Sequence, residues 1–145
     1  MPFLFNMQKI LNYRMQMEEE AKVRLARARQ MHLEEERRHE ELRQLLSEKE
    51  AQSYAQLAMD AGERWLLENF IKGLRSDMAA TQLRLRSLRQ TVELARQVVL
   101  ERAKERKSLE KLKERQEERY RAEERDNERK TNDETASLRR NAAAF

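Results

Sequence analysis

The sequence predicts an all-α protein, in which two long helices fold back on each other as an antiparallel coiled-coil hairpin with a frayed C-terminal tail. Three observations support this fold class. An unbroken heptad repeat covers residues 74–109, the composition is poor in turn-forming residues, and the helical pattern stops clearly only once, near residues 60–64. The chain is expected to form a single coiled-coil domain over residues 1–145.

The heptad repeat is the strongest of these signals. Eight of its eleven positions are apolar, at steps of four and three: Leu74, Met78, Thr81, Leu85, Leu88, Val92, Ala95, Val99, Arg102, Arg106 and Leu109. A 3.5-residue repeat on a helix of ~3.6 residues per turn leaves an apolar seam that winds around a partner helix. The rest of the chain must therefore supply a second helix.

The composition agrees with long helices and with a linear buried seam. The 145 residues are 40% charged and contain two Gly, one Pro and no Cys, whereas globular domains carry about 25% charged residues. The net charge of +4 arises from 31 basic and 27 acidic residues, and it is too small to imply nucleic-acid binding. No run approaches the ~20 apolar residues of a membrane span, so a cytoplasmic protein is expected.

The first helix is predicted over about residues 6–60 and the second over about 64–130, with a flexible tail at 131–145. The first helix carries a regular seam from Ala21 to Leu46, with polar residues at 32, 35 and 39. The turn is placed at about 60–64, where Gly62 could be a left-handed helix stop and Asp60 could cap the next helix. Helices of similar length with a short connection favour antiparallel packing.

A turn near residue 62 sets the expected register. It pairs Leu25 with Val99, Ala28 with Ala95 or Arg96, and Leu46 with Met78. It also places Glu18 near Arg106, so that two opposite charges meet in an otherwise apolar layer.

The sequence contains no recognisable catalytic set, so neither an enzyme nor a cofactor is expected. His32, Glu36 and His39 share a helix face, but a metal site would need more ligands, so we interpret them as a polar patch. The basic tract at 104–115 is diluted by Glu and lacks aromatic neighbours, which favours a solvated helix face over nucleic-acid binding.

An apolar cluster follows the turn: Trp65, Leu66, Leu67, Phe70, Ile71 and Leu74. It could seal the end of the hairpin, or it could be a docking surface extended by Tyr54, Leu57 and Met59, since large exposed apolar patches usually mark interfaces. Both interpretations could hold on opposite faces.

Three stretches resemble the FliJ family, the small coiled-coil component of the bacterial flagellar type III export apparatus. They are the N-terminal segment at 3–28, the cluster from Gly62 to Leu74, and the segment at 95–115, which is the most specific. The ending at 132–140 fits as well, so the likeness covers nearly the whole chain.

This resemblance implies a stalk similar to the γ subunit of rotary ATPases. The end that holds both termini would enter the hexameric ring of the export ATPase FliI, through Leu4, Ile10, Leu11, Tyr13, Leu109, Leu112, Arg115 and Arg119. The region near the turn would contact the export gate protein FlhA and other partners, through Tyr54, Trp65, Phe70, Leu74 and Met78. Family members are also described as handling export chaperones. The resemblance further implies a location at the inner membrane, where partners alone would hold the protein.

Three alternatives remain at this point. One is an injectisome stalk homologue with the same fold and type of partner. Another is an unrelated scaffolding coiled coil that dimerises in parallel. The third is a helical arm that binds nucleic acid, whose affinity would fall steeply with salt.

Overall fold

The chain forms two long helices. The computed structural model describes residues 2–56 and 58–143, and it shows α1 at Gln8–Ala55 and α2 at Ala61–Ala143, with no strand in these ranges. The two helices pack against each other as a helical hairpin, which confirms the predicted fold class. Leu57 and residues 144 and 145 of the predicted tail lie outside the described residues.

The chain divides into two compact units, which are described separately. The terminal unit comprises residues 2–18 and 101–143, and the turn unit comprises residues 19–56 and 58–100 of the described chain. Each unit contains one segment of α1 and one segment of α2.

Contacts within the terminal unit show that its two segments run antiparallel. The Phe3 ring lies beside the Tyr120 ring, the Lys113 Nζ donates to Gln8 Oε1 at 2.8 Å, and Arg14 pairs with Glu105 at 2.6 Å. Residue numbers thus rise along one segment as they fall along the other.

The turn unit shows the same antiparallel arrangement. Arg84 lies 3.7 Å from Glu35, His39 is hydrogen-bonded to Thr81, and Arg75 pairs with Glu50 at 3.0 Å. The buried residues of this unit are Ala21, Leu25, Ala28, Leu67, Ile71, Leu74, Thr81 and Leu85.

The predicted seam is the inward face of α2. All eleven positions from Leu74 to Leu109 are buried or half-buried, and so are the eight predicted positions of α1 from Ala21 to Leu46. The seven-residue periodicity therefore identified the packed face of both helices, including their polar members.

The turn differs from the prediction. α1 ends at Ala55 and α2 begins at Ala61, so that Gly62 lies inside the first turn of α2, and neither glycine has a positive φ. The left-handed stop assigned to Gly62 is therefore wrong. Asp60 caps α2 instead, because its Oδ1 accepts a 2.7 Å hydrogen bond from the Glu63 N–H, which is one of the orphan donors at the helix start.

Contacts of single residues bear on the predicted register. His39 is hydrogen-bonded to Thr81 and lines a cavity together with Leu85. Glu18 does pair with Arg106, as predicted.

The C-terminal segment is more helical than expected. α2 continues to Ala143, past residue 130 where the sequence predicted its end. Residues 125–143 are all exposed, and the hydroxyls of Thr131 and Thr135 donate to carbonyls four residues earlier. No Gly or Pro interrupts this segment, so nothing in its sequence ends the helix earlier; its fraying remains a prediction.

Candidate interaction surfaces

Aromatic and aliphatic side chains close the core of the terminal unit. Phe5 and Leu11 are buried between the helices. The rings of Phe3 and Tyr120 lie 5.6 Å apart between centroids, tilted by 47°, within the range for favourable aromatic pairs. Burial, together with a hydrogen bond to Glu124, raises the pKa of Tyr120. These contacts fasten the segment before α1 to α2.

A charged layer lies next to this core. Glu18 is 6% exposed and receives two hydrogen bonds from the Arg106 guanidinium, which also donates to Glu110 at 2.8 Å. The hydrogen bonds to Glu18 and then to Glu110 raise the pKa of Arg106 above its ordinary value. A buried carboxylate is tolerated here because a bidentate partner satisfies its oxygens.

The residues predicted to contact the ATPase do not share one environment. Leu4, Ile10, Tyr13, Arg115 and Arg119 are exposed on the terminal unit. Leu109 and Leu112 are half-buried, so only part of each is available. Leu11 is 3% exposed and belongs to the core. We call the five exposed residues the terminal surface.

The residues predicted to contact the gate and other partners divide in the same way. Tyr54, Trp65 and Phe70 are exposed, Met78 is half-buried, and Leu74 is 5% exposed. A Leu74 side chain at this depth packs against α1 and presents almost no area to a partner. We call the three exposed residues the turn surface.

The apolar cluster after the turn has two faces. Leu67, Ile71 and Leu74 point inward and seal the helix pair, while Trp65, Leu66 and Phe70 point outward. The Lys49 Nζ lies 5.7 Å from the centre of the Phe70 ring, within the range of a cation–π contact. The seal and the exposed patch predicted as alternatives therefore both exist, on opposite sides of α2.

Comparison with known proteins relates this architecture to one family. The family model described as "Flagellar FliJ protein" matches residues 3–144, which is nearly the whole chain. The chain belongs to the FliJ family. A search of curated proteins and a search of solved structures each gave no match.

FliJ membership makes this chain a protein related to flagellar export. The family consists of non-catalytic helical proteins. No helix among the described residues is long and apolar enough to cross a membrane.

The histidines of this FliJ-family chain form no evident metal centre. His32 Nδ1 lies 3.4 Å from Glu36, and His39 Nδ1 lies 2.8 Å from the Thr81 hydroxyl. Across residues 2–56 and 58–143, no group of three or more potential ligands is arranged to hold a metal. The Thr81 hydroxyl donates its proton to the Met78 carbonyl, so His39 Nδ1 must be the donor in its bond to Thr81.

Two features of the terminal unit were not predicted from the sequence. One is the ring pair of Phe3 and Tyr120, and the other is the ion pair of Arg14 with Glu105. A signal for Tyr120 was present, because continuing the seam past Leu109 in steps of four, three and four reaches residue 120. No comparable sequence signal marked Arg14 among so many arginines.

Proposed function

We propose that this protein is a stalk and adaptor of the flagellar type III export apparatus. Its terminal surface binds the ring of the export ATPase, FliI, and promotes assembly and activity of that ring. The observation that carries this proposal is the terminal surface itself. Exposed apolar residues and arginines lie on a helix pair that is fixed by an aromatic core and a charged layer.

The chemistry of the terminal surface suits a protein partner. Leu4, Ile10 and Tyr13 supply apolar area, while Arg115 and Arg119 lie one turn apart on α2. Arg guanidinium groups can bind carboxylates in a bidentate manner. A partner surface that combines an apolar patch with acidic residues would fit this combination.

Binding alone can account for activation. A single helix pair inside a symmetric ring contacts the subunits unequally, and a ligand shifts an equilibrium by its differential affinity for the states involved. Such a stalk would favour the assembled ring and would bias the subunits that hydrolyse ATP, without contributing a catalytic group.

We assign the turn surface to the export gate protein FlhA and to export chaperones. Tyr54, Trp65 and Phe70 expose large aromatic side chains, and aromatic residues are enriched at the centres of interfaces. Contacts of this kind would hold the protein peripherally at the inner-membrane apparatus through its partners only. The family match favours this flagellar role over an injectisome homologue.

Reversing the two exposed arginines tests the terminal surface. The variant Arg115→Glu with Arg119→Glu should reduce stimulation of the FliI ATPase at least about tenfold, since two charge-assisted contacts become repulsive. Both positions are exposed, so circular dichroism should show an unchanged helical fold. Leu109 and Leu112 are less suitable, because charges there would also disturb half-buried packing.

The matched control is Arg24→Glu with Arg27→Glu, which reverses two exposed arginines on α1 in the turn unit. This control should stimulate the ATPase like the unmodified protein. Equal stimulation by all three folded proteins would contradict the proposed role of the terminal surface.

A further inference from the structure

A second heptad repeat follows the outside of α2 in the turn unit. Its ten positions alternate in steps of three and four: Leu66, Asn69, Gly73, Ser76, Ala80, Leu83, Ser87, Gln90, Leu94 and Gln97. None is charged, although 40% of the chain is, and all ten are exposed. We call these positions the outer seam.

The outer seam has leucines at its first position, near its centre and at the position before its last. Leu66, Leu83 and Leu94 are 63%, 65% and 63% exposed, whereas the positions between them are small or neutral polar residues that allow a second helix to approach closely. Residues 66–97 span about 47 Å at ~1.5 Å per residue. The repeat is longer than the three to four heptads that indicate a coiled coil.

Two rows of residues border the outer seam. One row is Phe70, Asp77, Arg84, Thr91 and Val98, and the other is Trp65, Lys72, Ala79, Arg86, Glu93 and Leu100; all are exposed. Such flanking positions meet across an antiparallel coiled coil and determine which partner and which orientation are favoured.

We propose that the outer seam binds a second copy of this chain, with the two α2 helices antiparallel and related by a two-fold axis. In this register Ala80 packs beside Leu83 of the second copy near the axis. Leu66 then faces Gln97 of the second copy. The interface is isologous, so every contact occurs twice.

The charges of the two borders support this occupant. The same register places Asp77 opposite Arg84 of the second copy, and Lys72 opposite Glu93 of the second copy. By symmetry this gives four ion pairs and no pair of like charges, because Arg86 faces Ala79. The register also places Trp65 beside Leu100 of the second copy.

Three of the four residues in these proposed ion pairs have no ion pair within the single chain. Lys72, Asp77 and Glu93 form none with any other residue in the described part of the chain, whereas Arg84 lies 3.7 Å from Glu35 and would be shared between Glu35 and Asp77 of the second copy. A parallel dimer would instead pair Lys72 with Asp77 and would leave Glu93 and Arg84 unpaired across the interface. The antiparallel register therefore forms more ion pairs among the charged residues that border the outer seam.

Charge exchange between Lys72 and Glu93 tests both the dimer and its direction. Sedimentation equilibrium from about 1 to about 300 μM covers the range of micromolar dissociation constants. Lys72→Glu alone should weaken the dimer about tenfold or more, because two attractive pairs become repulsive. Adding Glu93→Lys should restore the affinity to within about threefold of the unmodified chain.

The control for this exchange is Arg37→Asp, an exposed charge reversal on α1 outside the outer seam, which should leave the dimer unchanged. Leu83→Glu should abolish the dimer but leave the helical content unchanged, since this side chain is exposed in the single chain. A chain that stays monomeric throughout the range would overturn the proposal, and so would a double variant without rescue.

Single cysteines give an independent measure of direction, because the chain has no Cys of its own. Ala80→Cys lies near the proposed two-fold axis and should be joined to its copy by a short bis-maleimide. Leu66→Cys should not, since it faces residue 97 of the second copy. Efficient cross-linking of both variants would indicate a parallel dimer and would overturn the antiparallel proposal.

Discussion

The ion pair of Glu18 and Arg106 shows how two residues can favour one helix register in the terminal unit. Glu18 is buried and Arg106 satisfies both of its carboxylate oxygens. Burying such a pair gains little over apolar packing, but removing one member leaves the other charge without its partner. The pair therefore disfavours slipped registers, in which Glu18 would be buried alone.

We predict that Glu18→Ala lowers the midpoint of thermal unfolding by about 5 °C, because Arg106 loses its buried partner. Circular dichroism at 222 nm measures this midpoint. Glu19→Ala is the control, since it removes an exposed carboxylate that forms a local ion pair with Lys22, three residues later. A shift for Glu18→Ala no larger than the control's would contradict the structural role of the charged layer.

The residue scale also shows where sequence signals were ambiguous. Asp60 and Gly62 each carry a plausible sequence signal for the turn. A glycine after a periodic segment is a common helix stop, but Gly62 has an ordinary helical conformation. Asp60 does cap the helix, because its side-chain oxygen accepts a hydrogen bond from the Glu63 N–H. Local patterns alone could not choose between them, because both were compatible with the same short connection.

At the scale of the helices, the seam was fully predictable. A period of seven requires only the sequence, and every predicted seam position is buried or half-buried. The individual contacts across the seam were less predictable, because each seam side chain packs against several residues of the facing helix. The sequence predicted the Glu18–Arg106 pair, whereas nothing in it singled out Thr81 as the hydrogen-bond partner of His39.

The polar layer formed by His39 and Thr81 gives a prediction for the helix pair. Thr81→Val leaves the His39 Nδ1–H without its acceptor and should lower the free energy of unfolding by about 1–2 kcal/mol. Combining it with His39→Leu makes the layer apolar and should restore or exceed the original stability. Urea unfolding of the two single variants and the double variant measures the coupling between these residues.

Additive effects of the two substitutions would mean that the hydrogen bond contributes nothing to stability. That result would also remove this layer as a determinant of the register in the turn unit.

The end of α2 gives a second prediction at this scale. Residues 131–143 are helical but exposed, and an isolated helical segment of this length is marginal in water. We expect their amides to exchange hydrogen within seconds, and we expect truncation after residue 130 to change the unfolding midpoint by less than about 2 °C. Slow exchange at these amides would contradict the predicted fraying.

At the scale of the whole molecule, the structure separates the exposed members of the predicted binding surfaces from the buried ones. The resemblance assigned Leu11 and Leu74 to binding surfaces, but both belong to the core. A resemblance to a family indicates which region of the chain binds a partner. The exposure of each side chain in that region depends on the helix that packs against it. The outer seam was readable from the sequence as an uncharged repeat, but only the exposure of all its positions separates it from a second buried face.

The proposed contacts of the turn unit have a consequence for assembly. Trp65 and Phe70 belong to the turn surface and also border the outer seam. Self-association would cover them, so a dimer of this chain and its complex with a partner at the turn surface should exclude each other.

The central claim is that this protein activates the export ATPase by binding its ring. The most direct test is steady-state ATP hydrolysis by FliI at a fixed ring-forming concentration, titrated with the purified chain. We predict stimulation that saturates near one chain per hexamer, as expected for a single stalk within a ring. A folded helical chain that neither binds the ring nor changes its hydrolysis rate at any ratio would contradict the proposed function.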